Sequence, residues 1–362
     1  MLREQYNQVC RSIWPNLTKE EYSRSAYTGI QKYFESQTCR ESRDDCSIIL
    51  SIINELMSKE GTLFSRSSYI AAVRTQLSNS LSEAAILSYS ERTLRIMVNL
   101  DIRVGHRRES ISRVGSFAID WEDDTSLGEA IGNHFAGDSR HVVTGRIDPA
   151  LSLGYLCTYR GFKVFWTSNI SEHLHISWKS KIVTVYEHKL FLWNHLRNSE
   201  TPIIPRSVLE EAIDTLNLLF PLNDRLTTKF LVQNGKDLQG LGYCSRPRDI
   251  CLDIGNFNVW RERIAELVEV MNEEPKGLRQ LALEKDGRNL LPFVTFWVAV
   301  AVAFLSLLNL PFAVISMNYS IKQYDLALAQ AVSTSEEHFS GTLHVGIQDN
   351  MTSFKYPHPL DV

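Results

Sequence analysis

The sequence predicts a mainly α-helical soluble region with a small β element, followed by one C-terminal transmembrane helix. Three observations predict it. From Asn289 to Ile321 no residue is charged, and the stretch from Phe293 to Ser316 is almost wholly apolar. Upstream, apolar residues recur at helical spacing, as in Ile49, Ile52, Ile53, Leu56 and Met57. Two short runs, Lys163–Thr167 and Lys181–Tyr186, instead concentrate β-branched and aromatic residues, which suit strands.

The apolar stretch is long enough to span a bilayer. About 20 mainly apolar helical residues cross about 30 Å of hydrocarbon. Phe296 and Trp297 sit near one end, as interfacial aromatics do. Pro311 lies in the last third and is expected to kink the helix there, which membrane helices tolerate. Lys276, Arg279, Lys285 and Arg288 precede the span, against Lys322 after it. The positive-inside rule therefore places the N-terminal region in the cytosol and the tail in the lumen or outside. No basic start followed by an apolar run opens the chain, so a signal peptide is not expected.

The expected organisation is a helical region over 1–100, a charged linker over 101–147 and a compact α+β soluble region over 148–288. The transmembrane helix over 293–316 and a tail over 317–362 complete it. In the first region Asp44 and Asp45 open the run at Ile49 and Gly61 closes it, and Ser67 to Leu100 reads as a long helical stretch, open to a break. The linker reading rests on Arg103, His106, Arg107, Arg108 and Arg113, followed by Asp120, Glu122, Asp123 and Asp124. In the third region Leu151–Tyr159 reads as a helix ending at Gly161, and Leu190–Leu196 as a short helix. Pro205 begins an amphipathic helix that ends at Pro221, and Trp260, Ile264, Leu267, Val268 and Met271 mark another.

Composition narrows the function classes. A chain of 362 residues, 44% apolar and 22% charged, can bury a substantial core. The net charge of -4 sets up no field that recruits nucleic acid, so no nucleic-acid partner is expected. Six cysteines, none in a CxxC pair, argue for reduced and mostly buried thiols rather than a disulfide scaffold.

Four histidines form the densest candidate cluster. His173 and His175, two apart, would share one face of a strand, and His188 and His195 could bring further nitrogens. The spacing matches no specific zinc motif, and ordinary polar or core histidines are the simpler reading. The stretch Gly235-Lys-Asp-Leu-Gln-Gly240-Leu-Gly242 is neither a P-loop nor a dinucleotide fingerprint, and reads as a loop. No GxSxG elbow is present. No cofactor and no catalytic residue is assigned. Arg107-Arg-Glu-Ser110 offers a basic-directed phosphorylation site at Ser110, where phosphate would sit among arginines. Asn350-Met-Thr352 is a glycosylation sequon in the expected lumenal tail. The sequons at Asn16, Asn169 and Asn318 fall on the cytosolic side or abut the span.

Asp286-Gly-Arg-Asn289, then Val294-Thr-Phe-Trp297 and the apolar run, resembles a broad group of uncharacterised fungal single-pass membrane proteins. That group carries a D-R-R-N-like box, a T-F-W start to the helix and one late span. Gly161–Thr167, His173-Leu174 and Leu216–Pro221 resemble the group's soluble region, so the likeness covers roughly residues 148–330. The group has no established activity. Ser316-Met-Asn318 resembles the G-M-N signature of CorA-type magnesium channels, with serine in place of glycine and without the second membrane helix.

The expected function is a membrane-anchored interaction or regulatory protein, partnered by the lipid bilayer and by cytoplasmic proteins, with homo-oligomer formation open. The alternatives are a metal-dependent enzyme using His173, His175, His188 and His195, and a degenerate CorA-like cation-channel subunit.

Overall fold

A computed structural model describes residues 3–22, 27–38, 44–58, 65–77, 82–105, 117–136, 144–198, 202–242, 244–272 and 290–341. The chain divides into two compact units, Met1–Arg279 and Gln280–Val362.

The first unit opens with α1 (Arg3–Ile13), α2 (Lys19–Tyr22), α3 (Thr28–Thr38), α4 (Asp44–Ser58), α5 (Arg66–Gln76) and α6 (Glu83–Val98). In α4 the expected face is buried at Ile49, Ile52, Ile53 and Leu56, while Met57 is exposed. The expected stretch Ser67–Leu100 is two helices, because each has its own serine start. Ser65 accepts from the Ser68 N–H and Ser82 from the Ala85 N–H. α6 stops at Asn99, whose left-handed backbone (φ 51°) cannot continue the helix. The Asn99 amide then donates to the Tyr186 hydroxyl at 2.6 Å.

The described residues of the expected linker, 101–105, 117–136 and 144–147, are built into the first unit. β1 (Ile102–Arg103) pairs in parallel with β2 (Ile119–Asp120), and α7 (Leu127–Phe135) starts in a capping box between Ser126 and Glu129. Ile102, Val104, Ile119, Trp121, Leu127, Ile131 and Phe135 are all buried. The buried Arg66 guanidinium donates to the Val104 carbonyl and pairs with Asp123 at 2.7 Å. Charged side chains on this segment cover a core rather than solvate a tether. Arg107, Arg108, Ser110 and Arg113 lie outside the described residues.

The sheet follows. α8 (Leu153–Tyr155) runs into a π-helical turn, Leu156–Arg160, ended by Gly161 at φ 71°. A Cβ on Gly154 would lie 2.9 Å from the Leu226 backbone, so only glycine allows that close packing. β3 (Lys163–Thr167), β4 (Ile176–Ser177) and β5 (Ile182–Tyr186) make one sheet with β5 central, parallel to β3 and antiparallel to β4. Both long strands match the sequence reading.

α9 (Lys189–Asn198) and α10 (Arg206–Leu219) pack against each other, then come α11 (Arg225–Asn234), α12 (Arg248–Cys251) and α13 (Arg261–Asn272). α10 starts behind Pro205 and buries Val208, Leu209, Ala212, Ile213, Leu216 and Leu219, as its periodicity requires. Glu211, on the same helix, is also buried and accepts from the N–H groups of Asn258, Val259 and Trp260. This carboxylate satisfies the loop that leads into α13.

The N-terminal helices and the α+β part share one core, so the expected division between 1–100 and 148–288 does not exist. Trp14 meets Phe191 edge-on at 5.3 Å between ring centres and His195 at 5.5 Å. Tyr33 lies 5.2 Å from the His188 ring.

The second unit is dominated by α14 (Leu290–Gly341), a helix of 52 residues. A candidate membrane span runs from Phe293 to Ser333, its most apolar stretch wholly unburied. The helix does not end at Ser316, and it continues unbroken past Pro311, which cannot donate to the Leu307 carbonyl. Much of the expected tail is therefore helical.

Replacing Glu211 with alanine removes three charge-assisted acceptor contacts and leaves their donors without the carboxylate. It should destabilise the first unit by about 3 kcal/mol, and Glu211→Gln by less. Urea midpoints test this, and an unchanged midpoint in Glu211→Ala would refute the role.

Candidate functional site

The structure separates the four histidines. Leu174 has a left-handed backbone (φ 61°), so the alternation expected of a strand fails between His173 and His175. His173 is fully buried and His175 is exposed against Phe117. The His173 Nδ1 accepts from the Tyr186 N–H at 3.2 Å, which leaves the proton on Nε2 to donate to the Thr215 hydroxyl at 2.7 Å. Thr215 in turn donates to the Ala212 carbonyl at 2.7 Å. Burial first, then the nearby Arg263 guanidinium, pushes the His173 pKa down to about 3. His195 is caged by Trp14 and Phe191 and held by the Met97 carbonyl; burial lowers its pKa to about 3. No three histidine, cysteine or carboxylate side chains among the described residues gather as a metal set.

His188 sits elsewhere, at the C-terminal ends of the parallel strands β3 and β5. Its Nε2 is 3.0 Å from the Ser168 hydroxyl. Glu187 accepts from the same hydroxyl at 3.4 Å and is paired with Lys236. Burial lowers the His188 pKa to about 4, with Glu187 opposing and Lys236 assisting. The hydroxyl has one proton, so a nucleophile–base contact with the neutral imidazole forms only when that proton turns from Glu187 to Nε2. The carboxylate, however, approaches the serine and Nε2, at 3.8 Å from the latter, rather than the far nitrogen Nδ1. The order of a hydrolytic triad is therefore not formed.

The next residue, Lys189, opens onto a cavity of about 210 Å³ lined by α9, by Glu21 and Tyr27, and by the turn 237–241. Lys189 is 4% exposed, and its Nζ donates to the Leu238 carbonyl at 3.2 Å and the Gly242 carbonyl at 2.9 Å. Burial lowers its pKa, against raising effects of Cys244 and Asp237. Arg197 lies over the Trp193 ring at 5.8 Å, at the exposed rim. The Tyr27 hydroxyl and the Asn194 amide satisfy each other at 3.0 Å within the buried wall. The two acids are engaged locally: Glu21 accepts from the Thr18 N–H at 2.9 Å and Asp237 from the Gly240 N–H at 2.9 Å.

Sequence reasoning missed this cavity. Its residues come from three segments far apart in the chain, and no spacing rule joins them. The glycine stretch read as a loop supplies one wall. No protein-family model matches the chain, and neither the curated proteins nor the solved structures contain a match.

The neutral histidines generate a pH prediction. His173, His188 and His195 fall from the ordinary 6.5 to about 3, 4 and 3 in the folded state. The unfolded chain thus binds more protons as pH drops below 6.5, so stability falls with falling pH, by up to about 1.4 kcal/mol per pH unit for each histidine. Asp214, whose carboxyl burial raises, acts in the opposite sense. Urea midpoints should decline steadily from pH 7 to pH 5, and a flat profile would contradict neutral, buried imidazoles.

Proposed function

We propose that the chain is a single-pass membrane protein whose first unit faces the cytosol and works by binding other proteins. The observation that carries this reading is the candidate span Phe293–Ser333 of α14, whose most apolar stretch is unburied and which has no charged residue before Lys322. At 1.5 Å per residue its 41 residues measure about 60 Å, twice the hydrocarbon thickness. The resemblance to fungal proteins with one late span supports the same topology. The interaction reading is supported on the first unit by β3, which lies at the edge of its sheet and presents Phe165 at 58% exposure, and by Trp178 at 50% exposure. Edge strands and exposed aromatics are common elements of protein recognition.

The orientation rests on the basic residues before the span, Lys276, Arg279, Lys285 and Arg288, which lie outside the described residues, as does Asn350. Asn169 is 9% exposed, and its side chain accepts from the Ser171 N–H. A glycan on it is incompatible with the fold. Glycosylation at Asn350 belongs to this proposal, as does phosphorylation at Ser110.

The wild-type chain should resist extraction from membranes by alkaline carbonate. Val302→Arg with Leu305→Arg should release it, since each arginine near a span centre costs about 2.5–3.5 kcal/mol. Wild-type protein in the carbonate supernatant would refute the span. Orientation is read separately: a glycosidase-sensitive gel shift abolished by Asn350→Gln, with an N-terminal labelling fusion marking cytosolic proteins, is the expected pair of results. A shift lost in Asn16→Gln, or labelling confined to lumenal proteins, would reverse the topology and remove the cytosolic partners.

A further inference from the structure

The apolar stretch of α14 is not uniform around its circumference. Thr295, Val302, Asn309 and Ser316 follow one another at intervals of seven. Ala299, Ser306, Ala313 and Ser320 repeat the same interval, each four positions further on. On a helix the two sets run along one side as a single stripe. It collects every hydroxyl and amide side chain between Phe293 and Met317, and nothing bulkier than valine. Phe304, Leu305, Leu307 and Leu308 all lie off it. The stripe is exposed, so no other described part of the chain covers it.

Asn309 makes this side of the helix costly to leave against lipid. The hydroxyls of Thr295, Ser306 and Ser320 donate to the Leu291, Val302 and Ser316 carbonyls one turn back, at 2.8, 2.8 and 3.0 Å. The Asn309 side chain makes no hydrogen bond among the described residues, yet it lies well inside the uncharged run Asn289–Ile321. Hydrocarbon offers neither donor nor acceptor, and an amide left alone there loses its hydration without replacement.

The chemistry of that amide selects its partner. It carries two donors and an acceptor, so it pairs with a second amide placed opposite. Flanking basic residues orient every copy of a chain the same way across the bilayer. Two such helices side by side are parallel, and in a parallel pair with a seven-residue repeat each inward residue meets its own counterpart. Asn309 then faces Asn309, and the alanines and serines on either side let the two backbones approach closely. Pro311 lies roughly 200° round the helix from Asn309, at the back of the stripe, where its ring does not hold a partner away.

We propose that α14 pairs in parallel and in register with the α14 of a second copy of the chain, through the stripe centred on Asn309. This rests on the membrane span proposed above and gives the tethered protein one specified partner, itself.

The test is disulfide trapping of the full chain in membranes. Single cysteines replace Ser306 or Ala313 on the stripe, or Phe304 or Leu308 away from it. The chain with only its own six cysteines sets the background. After mild oxidation, Ser306→Cys and Ala313→Cys should give reducible dimers, while Phe304→Cys and Leu308→Cys stay at background. Adding Asn309→Leu, which keeps the span apolar, should slow trapping at Ser306→Cys roughly tenfold, and Asn309→Gln should leave it intact. Alkaline carbonate extraction of the same samples separates the two readings. The pair alone is overturned if the chain stays in the pellet but dimers do not exceed background, form equally at all four positions, or persist unchanged with Asn309→Leu. A chain released into the supernatant overturns the span, and the pair with it.

Discussion

At the centre of the first unit is an imidazole that must stay neutral. His173 receives the Tyr186 N–H on one nitrogen and passes its own proton to Thr215, which donates onward to the Ala212 carbonyl. Its ring meets Trp260 edge-on, and its carbonyl accepts from Arg263. One residue thus joins β5 and α10 through its ring and α13 through its carbonyl. Each donor and acceptor in the chain is used once, which fixes the tautomer. A second proton on the ring would face the Tyr186 N–H, so the arrangement excludes the charged form.

Polar groups buried in the same core follow a similar rule. Asn99 ties the end of α6 to Tyr186, Asp214 pairs with Arg246, and Glu211 gathers three N–H groups. Apolar burial supplies most of the driving force for collapse, but it is non-directional. These directed contacts select one register among the many that collapse would allow, and each connects segments distant in the chain. Removing one partner exposes the cost of the other, since a lone buried polar group loses its water without replacement.

Periodic segments were legible in the sequence. The isoleucines of α4, the strands β3 and β5, the amphipathic α10 and the apolar α14 all follow from spacing and residue type. The segment 101–147 misled because its charges are dense and its apolar residues few. The signal was nonetheless present: Ile102 with Val104 and Ile119 with Trp121 alternate as short strands do, and Leu127, Ile131 and Phe135 recur at four. Ser126 and Glu129 even announce the helix start. The fate of the histidines was not legible, because it turns on the left-handed backbone of Leu174, which a β-propensity argument does not foresee. The cavity was hidden for a different reason. Lys189 reads as a solvated charge, and only the chain's path brings the Leu238 and Gly242 carbonyls over it.

The bond between Tyr27 and Asn194 spans 167 positions of sequence. At about 5–20 residues per second, a ribosome needs roughly 8–33 s to make the intervening chain. Through that interval the aromatic faces of α1 and α3 have no Phe191, His188 or Asn194 to rest on. They are among the first parts synthesised, and part of their cover comes much later in the chain. That aromatic surface therefore stays incomplete while nearly half of the chain is made, and its partners on α9 are synthesised before the apolar α14.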